Sequence, residues 1–149
     1  MISFKPLEIA NIEVITQMMQ NFYAIDNYPM DVEVAKNLFQ EFITNEHLGK
    51  SWLIYSENEI VGYIILTFIF SFEYGGKIAF VDELFIKETA RGKGIGKEAI
   101  QFIQREVPKL SLKLLYLEVE SHNENAQKLY LAHDFELHNR KLMKYKVTK

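Results

Sequence analysis

The chain has 149 residues, no cysteine, 17 Lys and Arg against 20 Asp and Glu, and a formal net charge of -3. This length implies one domain, predicted over 1–149, which can bury about two-thirds of its unfolded surface without a disulfide or metal. The lack of cysteine excludes disulfides, cysteine–zinc sites and a cysteine nucleophile. The acidic balance argues against a nucleic-acid partner. Glu8 and Glu13 interrupt the first turns, so no secretory leader is expected. The longest apolar stretch, 60–72, is too short for a membrane-spanning helix and is rich in β-branched and aromatic residues. A soluble cytoplasmic protein with no membrane partner is expected.

In chain order, 2–6 reads as a short edge strand. Ile15, Met18, Met19, Phe22 and Tyr23 then recur at helical spacing. This helix is predicted to stop near Asp26-Asn27-Tyr28-Pro29, because proline restricts the residue before it. Asp31 is placed to cap a second helix that turns Ala35, Leu38, Phe39 and Phe42 inward. Strands follow at 51–56 and 60–72, the second apolar on both faces and so expected at the sheet centre. The strand 77–86 leads into a glycine-rich turn and a helix over 94–107, stopped by Pro108. A strand over 112–120, a helix over 123–133 and two closing strands near 135–137 and 142–147 complete the prediction. The pattern is that of an α/β fold, with a single mixed sheet of about six to seven strands and helices on both faces.

The stretch Val81 to Gly96 organises the rest. Glycines 92, 94 and 96 alternate with Lys93 and Ile95 and follow Arg91. A glycine-rich loop that opens a helix leaves outward N–H groups at the positive end of the helix dipole, a site for phosphate. Glu98 follows Gly96-Lys97, so the Ser or Thr of a nucleotide-triphosphate loop is missing. The order G-x-G-x-G is not the dinucleotide fingerprint either. The pattern Arg91-x-x-Gly94-x-Gly96 instead resembles the acyl-CoA pyrophosphate loop of the GNAT superfamily of N-acyltransferases. About thirty residues on, Asn123 to Tyr130, followed by Phe135-Glu136, resembles that superfamily's N-x-x-A-x-x-L-Y and G-F-E segment. Together the two motifs are specific. Asp134 stands where the family pattern has glycine; aspartate tolerates a left-handed turn.

The resemblance implies a GNAT-like, mostly antiparallel sheet, a single N-acetyltransferase domain over 1–149, and acetyl transfer from acetyl-CoA to a small-molecule or peptide amine by direct attack in a ternary complex. It implies that the strand over Leu84, Phe85 and Ile86 pairs with the pantetheine arm, the Leu84 amide polarising the thioester carbonyl. Arg91, Gly92, Lys93, Gly94, Ile95 and Gly96 then wrap the diphosphate, and Asn123 contacts the CoA arm or caps a helix. Tyr130 matches the tyrosine that protonates the departing thiolate; otherwise it is a core aromatic.

A carboxylate in an apolar strand costs free energy unless it reaches water or a partner. Asp82 and Glu83 are therefore both candidate bases, and strict alternation puts them on opposite faces, Glu83 with Val81 and Phe85. Glu83 is the preferred base by resemblance, with Glu118 and Glu120 as alternatives. By resemblance, the segment joining the first two helices helps wall the acceptor site, so Tyr23 and Tyr28, with Asp82 and Glu118, are candidate acceptor-site residues. The four histidines are scattered without metal-ligand spacing, so no metal is expected. The different functional class that fits the same motifs is a CoA-binding regulatory or sensor domain without turnover. The terminal strands fit homodimerisation, although Lys144 and Lys146 alternating with Tyr145 and Val147 fit an ordinary edge equally well.

Overall fold

A computed structural model of the chain describes residues 1–148. The chain forms two compact units, 1–118 and from Val119 onward. In the first unit the strands are β1 (Ile2–Pro6), β2 (Gly49–Ser56), β3 (Glu59–Ser71), β4 (Gly76–Ile86) and β5 (Leu115–Leu117). Its helices are α1 (Ile12–Ile25), α2 (Val32–Thr44) and α3 (Ile95–Lys109). The second unit contains α4 (Glu124–Ala132).

The sheet order is β1-β2-β3-β4-β5. The first four strands pair antiparallel, and β4 pairs with β5 in parallel. Antiparallel neighbours need only tight turns, whereas the parallel pair needs a long crossover, which the glycine loop and α3 provide. As its two-sided apolar composition predicts, β3 is central.

Helices cover both faces. On one, α1 and α2 pack Ile15, Met18, Met19 and Phe39 against Leu53, Tyr63, Ile65 and Phe85 of the sheet. On the other, Phe102 of α3 stacks on Phe4 at 4.2 Å between ring centroids and meets Trp52 edge-on at 5.2 Å. The α2 start is as predicted: the Asp31 carboxylate accepts from the Val34 N–H at 3.1 Å. This satisfies one of the orphan donors of the first turn and stabilises the helix by about 1 kcal/mol.

Three expectations are corrected. First, the sheet holds five strands among the described residues, not six or seven. The stretches 135–137 and 142–147 are not strands, and the predicted strand over 112–120 shrinks to three residues. Alternating side chains fit a pleated, half-buried surface but supply no neighbour to pair with, and Leu142, Met143, Tyr145 and Val147 are all exposed. Second, Pro108 does not stop α3; it lies within its last turn. The stop comes at Ser111, left-handed at φ 57°, with the Leu112 N–H donating back to the Val107 carbonyl.

Third, β4 does not alternate strictly. Ile65 pairs with Glu83 but Leu66 pairs with Val81, so Asp82 is the extra residue of a β-bulge. Directly paired residues share a face. Glu83 and Phe85 therefore face α1 and α2, Val81 turns to the α3 face, and Asp82 stays on Glu83's side.

Candidate active site

The bulge brings both acids of β4 to one cavity of about 210 Å³, lined by Met19 and Tyr23 of α1, Ala35, Leu38, Phe39 and Phe42 of α2, Ile65 and Thr67 of β3, and Asp82 and Glu83. Most of this wall is apolar. The two carboxylates and the Tyr23 hydroxyl are its strongest polar groups.

Glu83 is half-buried and fully engaged. Its Oε2 accepts from the Tyr23 hydroxyl at 2.6 Å and its Oε1 from the Tyr63 hydroxyl at 2.7 Å. Helical spacing brings Tyr23 down from α1. Tyr63 reaches Glu83 diagonally, because its direct partner is Phe85. Burial raises the Glu83 pKa above the ordinary carboxylate value; the two phenol hydrogen bonds oppose this, and the charge of Asp82 adds to it. Both tyrosines are pushed upward, first by burial and then by the Glu83 carboxylate, so they remain neutral donors. Asp82 is exposed as a residue, yet its carboxyl is partly withdrawn from water; this and the nearby negative Glu118 raise its pKa. Neither Asp82 nor Glu83 forms an ion pair with a cation among the described residues.

The other predicted residues fall as follows. Leu84, Phe85 and Ile86 lie on β4 beyond the end of its pairing with β5, which covers only Ala79, Phe80 and Val81. That edge from Asp82 to Ile86 has β3 on one side and, among the described residues, no strand on the other. The loop after β4 makes a 3-10 turn at Glu88–Ala90 and then reaches Gly92 and Gly94, left-handed at φ 79° and 77°. Glycine adopts this conformation without steric cost, and an added Cβ at either position would meet nothing within 4 Å. Among the described residues, none of the turn and cap hydrogen bonds is donated by the amides of 92–97. Lys93 is exposed, while Ile95 is buried and anchors the start of α3. Arg91 is exposed, donates its Nε–H to the Ile86 carbonyl at 3.0 Å and lies over the Phe85 ring.

In the second unit, Asn123 caps α4, its side chain accepting from the Ala126 N–H at 3.1 Å. Tyr130 is partly buried and packs on Phe135 at 5.9 Å; burial raises its pKa, so it keeps its proton. Asp134 is left-handed at φ 70°, the conformation expected of it in place of glycine.

Glu118 acts on Asp82 through charge and does not line the cavity; Tyr28 is exposed and is also absent from its lining. The sequence does not single out Tyr63. Its one signal is a phenol in the apolar run 60–66 of the central strand, where a buried hydroxyl needs a partner.

Comparison with known proteins bears out the resemblance. The model of the acetyltransferase (GNAT) family matches residues 14–135, and the chain belongs to that family. A D-amino-acid N-acetyltransferase of Saccharomyces cerevisiae is 23% identical over 128 residues, covering 85% of this chain and 80% of the yeast protein. The structure resembles an integron cassette protein from the mobile metagenome of Cole Harbour salt marsh, with TM-score 0.87, 31% identity, and 98% and 91% of the two chains covered. It also resembles a possible acetyltransferase from Clostridium difficile 630, with TM-score 0.88, 19% identity and 99% of each chain covered. The protein is an N-acetyltransferase of that family, for which acetyl-CoA is the acetyl donor.

Proposed function

We propose that the enzyme transfers acetyl from acetyl-CoA to a small-molecule primary amine by direct attack in a ternary complex, with Glu83 as general base. The observation that carries this is the placement of Glu83: a half-buried carboxylate with a raised pKa, fixed by Tyr23 and Tyr63, on the strand whose far edge is unpaired. A base tuned toward neutrality takes a proton from an ammonium more effectively than an ordinary carboxylate. Asp82, in the same cavity, helps hold the cation.

The pantetheine arm adds as a strand along Leu84, Phe85 and Ile86. The diphosphate rests on the free amides of 92–96, with Arg91 and Lys93 adding positive charge. The amine nitrogen attacks the thioester carbon and its proton passes to Glu83. The Leu84 amide stabilises the oxyanion, an effect worth a few kcal/mol. Collapse breaks the C–S bond and the thiolate is protonated, the role that the motif match gives Tyr130. The same match gives Asn123, the cap of α4, a role toward the CoA arm.

We also infer that 1–149 is one catalytic domain acting in the cytoplasm; the family match crosses the boundary between the two compact units. The yeast relative's activity on a D-amino acid supports a small amine acceptor. The test is Glu83→Gln, assayed by thiol release from acetyl-CoA plus amine. We expect kcat/KM to fall roughly 100-fold or more with loss of the acid limb of the pH–rate profile. An unchanged profile rules Glu83 out as base.

A further inference from the structure

Resting on that reading of Glu83, the geometry points to the class of acceptor: a primary amine carrying a compact apolar body and no carboxylate beside the nitrogen, such as a short alkyl or aryl-alkyl amine. Three observations converge. The cavity of about 210 Å³ is smaller than the roughly 300–1,000 Å³ typical of sites for drug-sized ligands, so it admits a small body. Apart from the acids, Thr67 and Tyr23, whose hydroxyl is donated to Glu83, its wall is apolar, mainly Met19, Leu38, Phe39, Phe42 and Ile65, and offers hydroxyl-rich substrates few hydrogen bonds. Stripping water from such hydroxyls without replacing their partners costs free energy.

The third observation is charge. Asp82 and Glu83 face this cavity without a counter-cation among the described residues, and no Lys, Arg or His lines it. An ammonium supplies the missing charge. A carboxylate on the neighbouring carbon would be carried against two acids with no basic side chain to receive it, and such like-charge juxtaposition discriminates strongly. The net reaction is balanced: the alkylammonium and acetyl-CoA give the N-alkylacetamide, free thiol and one proton. The C–N bond forms as the C–S bond breaks.

The experiment compares kcat/KM for phenethylamine, isoamylamine, D- and L-phenylalanine and kanamycin, with acetyl-CoA as donor and thiol release as readout. Phenethylamine and phenylalanine differ only by the carboxylate. We expect the two simple amines to exceed both phenylalanine enantiomers and kanamycin by about 100-fold. Leu38→Lys, at an exposed cavity position outside the proposed catalytic groups, should lower turnover of phenethylamine and narrow its advantage over phenylalanine. Phenylalanine or kanamycin turning over as fast as phenethylamine overturns the acceptor class and leaves acetyl transfer standing. So does silence of the whole panel while acetyl-CoA still raises the melting temperature. If acetyl-CoA itself fails to bind, the underlying functional reading falls as well.

Discussion

At the scale of single residues, opposing forces set Glu83. Burial disfavours its charged form, while two phenol O–H groups favour it. Removing one phenol tilts the balance toward the protonated acid. In Tyr23→Phe the Glu83 pKa should therefore rise further, so the acid limb of kcat/KM moves to higher pH while the ring still packs. A pH–rate series on both proteins checks this; a limb that stays in place or moves down is inconsistent with Tyr23 donating to Glu83. Thr16 offers a contrast. Its hydroxyl is buried on α1 without a partner among the described residues. Thr16→Val keeps the shape and removes an unpaired polar atom, so it should stabilise the fold by about 1 kcal/mol in thermal melts. Glu83 was legible in the sequence because an acid in an apolar strand demands an explanation. The direction of Asp82 was not, since it depends on one extra residue in the pairing with β3, which alternation within β4 cannot reveal.

At the scale of elements, caps and periodicities proved readable. Asp31, Asn123 and the spacing of Ile15, Met18 and Met19 act locally, within a turn or two of chain. Close approach between strands depends on the neighbour instead. Gly62 on β3 sits where an added Cβ would lie 2.1 Å from the Phe85 carbonyl oxygen on β4. The atoms it would meet are all β4 backbone, which cannot swing aside as a side chain can, so Gly62→Ala should cost roughly 1–3 kcal/mol, read as a lower denaturation midpoint. It should also impair turnover, because the strand that must shift carries Glu83 two residues away. Retention of full stability is inconsistent with this close approach of β3 and β4. The α3 boundary teaches a related lesson. Proline forfeits one N–H, which the final turn tolerates, whereas the left-handed Ser111 reverses the chain.

At the scale of the whole molecule, the two motifs of the sequence lie in different compact units: the glycine loop in the first and the Asn123–Tyr130 helix in the second. Their order along the chain carries the resemblance to the family without reference to any strand. The strands expected near the end were not realised, because a strand is a property of a pair and the sequence supplies only one member. The diphosphate site proposed at the glycine loop bears on the stability of the entire fold. A ligand that binds only the folded chain stabilises it by an amount set by its concentration over Kd, about 2.7 kcal/mol at 100 Kd. For a chain of this length, that corresponds to a rise of roughly 5–10 °C in melting temperature. Acetyl-CoA should give this shift and free adenosine should not, since adenosine lacks the diphosphate. In Gly94→Asp the new carboxylate would stand at the loop amides, where space around the Cβ is open and the fold has little reason to collapse beyond the strain of a left-handed aspartate. The variant should then melt near the unliganded parent and respond to acetyl-CoA by less than about a tenth of the parent's shift, because negative charge at that point repels the diphosphate. A full shift in that variant would place the diphosphate somewhere other than the glycine loop.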